Sequence, residues 1–278
     1  MLRKRPIVFT TWRIVHKILK EKPNCFPESD FSWFLASVTS HSQIGGGLDP
    51  QQPIPNRTPE EAFRLAIELL GRFKVVTANS RLLYDLLRPS LENVMYCPNG
   101  VDVDYFAPKD RVTFDNNALR IGWVGKRRGA KNFAVIQKVT NRLADVGIGV
   151  SLVTVERDAE HAALDRAQTR EFYHEIDYYL CASWNEGTPN PALEAGACGV
   201  PVITTRVGNM PELIVDDANG YFVDPTEESI VERCIGLKKM SEDRYRAMSK
   251  AIREAVKTDF SWKRNIQYHI DAFDRLVR

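Results

Sequence analysis

Apolar residues recur along this chain with two periods. Short dense runs of Val, Ile, Leu and Phe read as strands, and longer stretches with apolar residues three or four apart read as helices. The first half carries four strand-like runs, at Ile7 to Thr11, Phe34 to Thr39, Lys74 to Ala78 and Val94 to Cys97. Between them, Arg13 to Lys22 places Ile14 and Ile18 on one side of an amphipathic helix with a basic outer face. Pro59 to Gly71, capped by Thr58, aligns Phe63, Ile67 and Leu70, and Arg81 to Leu87 forms a third helix. Gly45 to Gly47 and the Pro-rich segment Asp49 to Pro59 interrupt this order, and Pro98, Asn99 and Gly100 end it. The polar stretch that follows places a domain boundary near Pro108.

The same alternation then restarts with a strand over Leu119 to Val124, a helix over Ala130 to Val146 (Phe133, Ile136, Thr140 and Leu143 on one face), and a β-rich run over Val150 to Val155. A polar helical segment ends in Phe172 and Tyr173, and helices are predicted over Glu227 to Met240, Ser241 to Lys257 and Trp262 to Val277. Repeated strand and helix units imply an α/β fold with a parallel sheet in each half. The expected domains cover 1–108 and 109–260, with a closing helix over 261–278.

The densest pattern lies between Asp177 and Asp224. A strand to Ala182 leads into a loop over Ser183 to Thr188. Asn190 is placed to cap the next helix with Pro191 at its first position, and Gly199 ends that helix before a strand over Pro201 to Thr204. In open parallel sheets ligands sit outside the carboxyl ends of the strands, so this loop and helix start are expected to hold one.

Composition changes this picture little. With 278 residues, 44% apolar and 27% charged, the chain is long enough for two ordinary cores. A net charge of +2 gives no field that would select nucleic acid. Cys25, Cys97, Cys181, Cys198 and Cys234 are widely spaced in apolar surroundings and read as reduced thiols, and neither they nor the histidines have metal-ligand spacing. No leader or membrane span is recognised, which sets a cytoplasmic expectation.

Two groups of residues suggest chemistry. Gly125, Lys126, Arg127, Arg128, Gly129 and Lys131 stand between a strand and a helix and offer N–H groups and cations together, which suits a pyrophosphate. Taken alone, such a loop is more often a solvated basic turn. Glu186 and Glu194 would be repelled by phosphate and suit hydroxyl groups instead, the other reading being a solvated loop acid and a helix-dipole partner. Cations in the middle with acceptors at each end describe a nucleotide sugar. A nicotinamide-binding fold is disfavoured, because Gly122, Gly125 and Gly129 do not form G-x-G-x-x-G.

The string EGTPNPALEAGACGVPVITT, together with PNGVD at Pro98, VGKRRGAKN at Val124, VGNMPE at Val207 and NGYFVDP at Asn219, resembles the retaining glycosyltransferases of the GT-B fold, family 4 type. The resemblance covers Lys74 to the C-terminus well and the first seventy residues poorly. It implies two Rossmann-like domains facing a cleft, the first one reduced, with the last helix crossing back to it. It implies that Glu194 holds the ribose and Glu186 a hydroxyl of the transferred sugar. Lys126 and Lys131 would hold the pyrophosphate, and His41 would reach the donor sugar. Gly125, Gly187, Thr188 and Asn190 would line the donor, and Asn79, Ser80, Asn99 and Gly100 resemble loop residues beside it. The reaction implied is glycosyl transfer to a hydroxyl acceptor with retention, without a metal or a resident cofactor. The first domain begins late for the family, which leaves three expectations open: a binding subunit that needs a partner chain, a homo-oligomer, and contact with the inner membrane surface through Arg3 to Arg5 and Arg13 to Lys22.

Overall fold

The structure is a computed structural model that describes residues 7–9, 34–38, 59–109, 114, 119–125, 129–146, 149–156 and 164–278. The basic helix expected over Arg13 to Lys22, the tip Arg3 to Arg5, Cys25, His41 and the cations Lys126 to Arg128 lie outside the described residues. The chain folds as two compact units, one comprising 1–99, 185–188 and 265–278 and the other 100–184 and 189–264.

The first unit contains a parallel sheet of β1 (Ile7–Phe9), β2 (Phe34–Val38), β3 (Val75–Ala78) and β4 (Val94–Tyr96), in that spatial order. Helix α1 (Pro59–Leu70) precedes β3, and α2 (Arg81–Leu87) makes the crossover to β4. The α2 start is set by Ser80, whose hydroxyl accepts from the Leu83 N–H at 3.3 Å. Alternation along β3 decides the faces: Val76 and Ala78 pack with Leu70, Leu83 and Leu87, while Val75 turns to the opposite side. There it meets Cys97 together with Ala272 and Leu276 of the last helix, α9 (Trp262–Val277). Asn265 and His269 of α9 reach the carbonyls of Asn99 and Pro98 at 2.9 and 3.2 Å, and Tyr96 stands edge-on to Tyr268 at 5.6 Å. These contacts place residues 265–278 in the first unit.

The second unit is built on β5 (Leu119–Gly125), β6 (Val150–Glu156), β7 (Tyr178–Cys181), β8 (Val202–Thr204) and β9 (Gly220–Phe222), all parallel, in the order β6-β5-β7-β8-β9. Helices α3 (Phe133–Asp145), α4 (Arg166–His174), α5 (Asn190–Ala197), α6 (Met210–Leu213), α7 (Glu227–Leu237) and α8 (Glu242–Asp259) complete it. Its sheet is buried on both faces, with Tyr179 and Val202 packing to one side and Tyr178 and Ile203 to the other. Both faces being covered explains why these strands read as continuous apolar runs. The second unit begins at Gly100, ahead of Pro108, because Val101 and Phe106 pack in this unit's core.

The helix expected over Ala130 to Val146 is divided. Gly129–Lys131 forms a 3₁₀ turn, Asn132 adopts a left-handed conformation (φ 53°), and α3 starts only at Phe133. Asparagine tolerates that region, and the Asn132 amide is held by the Pro225 carbonyl at 2.9 Å. On α3 the buried face carries Val139, while Thr140 is half-buried and its hydroxyl donates to the Ile136 carbonyl at 3.0 Å. The short elements α6 and β9 were not legible as separate elements in the sequence. Among the described residues no helix is long and apolar enough to cross a membrane.

Candidate functional site

The carboxyl ends of β5, β7 and β8 carry three loops that hydrogen bonds tie together within the second unit. Trp184, after β7, donates its N–H to the Ala130 carbonyl of the 3₁₀ turn at 2.9 Å. Thr205, after β8, donates its hydroxyl to the Ser183 carbonyl at 2.6 Å and its N–H to the Cys181 carbonyl at 3.0 Å. The next turn is closed by Gly208 at positive φ (53°). Beyond it, Asn209 is fully enclosed, with neither of its side-chain polar atoms hydrogen-bonded. Buried polar atoms usually have partners, which makes Asn209 an exception next to the tied loops.

Helix α5 leaves this framework with a defined start and stop. Pro189 takes the cap position and Asn190 is the first helical residue, one place earlier than the Asn190 cap expected from the sequence. The shift follows from the Pro189 carbonyl, which already accepts from the Ala192 N–H at 2.8 Å. At the other end Val200 donates to Ala195 and Gly199 to Gly196 across a left-handed Gly199 (φ 78°), the paired bonds of a Schellman motif. Gly196 allows close approach to α8, since a Cβ there would lie 2.9 Å from Val256 Cγ2 and 3.1 Å from Ile252 Cγ1. Arg253 of α8 donates to the Ala197 carbonyl at 2.6 Å and also binds those of Val103 and Phe106.

On α5, the half-buried Glu194 accepts a hydrogen bond from the Tyr173 hydroxyl at 2.6 Å. Tyr173 is itself fixed on α4 by edge-on packing with Phe106, Phe172 and Tyr179. The sequence shows Tyr173 only as an aromatic at the end of a helical segment. Its role could not be read there, because Glu194 lies 21 residues away. The hydroxyl satisfies one lone pair of the carboxylate and orients the rest, as an acceptor of ligand hydroxyls requires.

The remaining expected residues fall in different places. Gly125 is the last residue of β5, where a Cβ would press on the Trp123 ring at 2.9 Å. Lys131 closes the 3₁₀ turn and is half-buried, so the cation stands before the left-handed Asn132 rather than at the start of α3. Glu186, Gly187 and Thr188 count with the first unit, where the Thr188 hydroxyl donates to the Asn79 carbonyl at 3.1 Å. Among the described residues no group of three or more His, Cys, Asp or Glu side chains is placed to hold a metal ion.

Residues 161–255, which include α4, α5 and both glutamates, match the family model described as glycosyl transferases group 1. A D-inositol 3-phosphate glycosyltransferase of Xylanimonas cellulosilytica is 24% identical over 266 residues, an alignment covering 81% of this chain and 63% of that protein. The chain thus spans less than two thirds of that relative's length. Among solved structures, a sucrose-phosphate synthase from Thermosynechococcus elongatus superposes with a TM-score of 0.72 at 17% identity, covering 96% of this chain and 72% of that one. The Anabaena protein HepE, solved in complex with UDP and glucose, gives a TM-score of 0.64 at 13% identity over 87% of this chain and 71% of its own. These likenesses establish the fold: two parallel-sheet units of the GT-B type.

Proposed function

We propose that this chain transfers a glycosyl group from a nucleotide sugar to a hydroxyl acceptor with retention of configuration, as a retaining glycosyltransferase of family 4 type. The observation that carries the reading is the Tyr173 to Glu194 hydrogen bond, which presets an acceptor carboxylate on α5 inside the stretch matched by the family. Supporting it are the three tied loops at the carboxyl ends of the strands, the place where α/β sheets hold ligands.

Each residue then has one task. Glu194 accepts from the ribose hydroxyls. Lys126 and Lys131 bind the diphosphate and take up the charge that develops on it as the glycosidic bond breaks. Glu186 holds a hydroxyl of the transferred sugar, with Gly125, Gly187, Thr188 and Asn190 lining the donor and His41 reaching its sugar. The leaving phosphate oxygen takes the acceptor's proton on the face from which it departs, which retains configuration without a protein nucleophile. The nucleotide sugar is a substrate in this scheme, and no resident cofactor or metal is called for. The enzyme works in the cytoplasm.

A thermal-shift screen against nucleoside diphosphates and their sugars tests this directly. A ligand at about a hundredfold excess over its dissociation constant adds roughly 2.7 kcal/mol, a shift of a few degrees. A shift with a diphosphate, followed by NMR of the transfer product showing the donor's anomeric configuration, is the expected result. A shift with NAD and with no diphosphate would overturn the reading.

A further inference from the structure

Helix α9 packs one face into the first unit through Asn265, Ala272 and Leu276. Its other side carries Trp262, Ile266, Ile270, Phe273 and Val277, which are large apolar residues between 41% and 63% exposed. Their spacing is four, four, three and four residues, so they form a single stripe along the whole 16-residue helix. Scattered exposed apolar residues need no explanation, whereas a contiguous aligned row marks a contact surface.

The charges beside the stripe indicate what covers it. On an ideal helix Lys263 and Asp274 lie about 20° and about 40° round from Ile270, on the polar rim of the stripe, one near each end. Neither side chain has an ion-pair partner among the described residues, whereas Arg264 is bound to Asp259 and Asp271 to Gln267. A rim with a cation at one end and an acid at the other matches its own reverse. Two such helices side by side in opposite directions bring these rims together and set Lys263 against Asp274 at both ends, while a parallel pair leaves the two rims on opposite sides. The same rim argues against an anionic lipid surface, because the helices that lie on such surfaces carry basic polar faces, and here Asp271 and Asp274 share that side with the cations.

We propose that the α9 stripe pairs two copies of this chain, antiparallel about a two-fold axis near the middle of the helix, with Lys263 of each copy against Asp274 of the other. One stripe from each copy makes a small contact beside the ~800 Å² per partner of a standard interface, and the expected dimer is a weak one, in the micromolar range. Self-pairing through one patch is the isologous contact that two-fold dimers use.

Sedimentation velocity of the full chain from about 1 to about 100 µM tests this. The wild-type chain is expected to pass from monomer to dimer over that range, and Ile270→Asp to remain monomeric with an unchanged melting curve. Ile266→Ser serves as a second, milder disruption if Ile270→Asp fails to fold. Lys263→Glu is expected to weaken the dimer about tenfold or more, and Lys263→Glu with Asp274→Lys to restore it. A wild-type chain that stays monomeric throughout, including one that instead sediments with anionic vesicles, would overturn the proposal. So would a dimer insensitive to Ile270→Asp, or one that the charge exchange leaves unrestored.

Discussion

The helix that carries Glu194 and the loop that carries Glu186 are close neighbours in sequence, yet they are held in different ways. Helix α5 is fixed at its Glu194 side chain by Tyr173, at its Ala197 carbonyl by Arg253, and beyond its end by the Ser249 hydroxyl, which donates to the Gly199 carbonyl at 2.5 Å. Residues 185–188 count with the other unit and are held there through Thr188 and the Asn79 carbonyl. A carboxylate on α5 therefore stands in place before a ligand arrives, while one on the loop is carried by another body. Preset groups suit the part of a donor common to all its forms, and loop-borne groups suit the part that varies. On the proposed roles, that assigns the nucleotide to α5 and the sugar to the loop.

Forcing α5 away from α8 should have the largest effect. Gly196→Val puts three carbons where a single Cβ would already lie 2.9 Å from Val256, a fully buried branched side chain that cannot swing away. Overpacking of this kind costs about 1–3 kcal/mol, read as a lower urea midpoint with an unchanged slope. Thr188→Val, which removes the loop's hydrogen bond, is expected to lose no more than about 1 kcal/mol. Equal losses in the two variants would erase the contrast.

Next come the acceptors. Glu194→Ala should weaken nucleoside diphosphate binding roughly 10- to 100-fold, the range of a hydrogen bond to a charged group, by isothermal titration. Tyr173→Phe, which keeps the ring packing and removes the hydroxyl, should weaken it less than tenfold while leaving kcat close to wild type. A Tyr173→Phe protein with unaltered affinity would show that the carboxylate is oriented by other means.

A cation and a loop acid should then separate by ligand. Lys131→Ala is expected to weaken the diphosphate itself roughly tenfold, as loss of one charge-assisted contact does. Glu186→Ala should leave the diphosphate within about twofold and slow transfer from the nucleotide sugar instead. Parallel losses of diphosphate affinity in both variants would refute the division of labour.

How much of this could be read in advance depended on whether each feature is local in sequence. The strands β5, β7 and β8 were visible because both faces are buried and the runs are uninterrupted. Helices α2, α7 and α8 were legible from their apolar spacing, and the structure adds their caps, Ser80, Thr226 and Ser241. The break at Asn132 was hidden, since a left-handed asparagine inside an amphipathic pattern is fixed by Pro225, 93 residues away. Strand β9 has only three residues, beginning at a glycine, and exists because β8 supplies its pairing partners. The motif carrying Glu194 was legible by resemblance, but its orienting partner Tyr173 was not, because the pairing of α4 with α5 is a tertiary fact. The exposed stripe on α9 was likewise invisible, since which side of an amphipathic helix is buried depends on the neighbours it meets.

The smallest effect concerns Cys198, which closes α5 and is buried against α8. Burial pushes its thiol from 9.0 up to about 12, with the nearby Glu194 carboxylate raising it further and Arg253 and Arg170 pulling it down. The sign follows from comparing states. In the unfolded chain the thiol ionises near its ordinary value, whereas in the fold it stays protonated until far higher pH. Its contribution is intact below about pH 9 and is lost as pH climbs towards about 12, by roughly 1 kcal/mol at about pH 10. Cys97 and Cys234 are raised to about 12 in the same way, and buried Tyr178 and Tyr245 are also shifted upward, so the whole protein weakens over this range. Cys198→Ala isolates the one thiol: the difference in unfolding free energy between pH 8 and pH 10 should shrink by that amount relative to wild type. Identical differences in the two proteins would mean that the end of α5 opens to water well before the rest of the unit unfolds, and would place the helix among the mobile parts rather than the anchored ones.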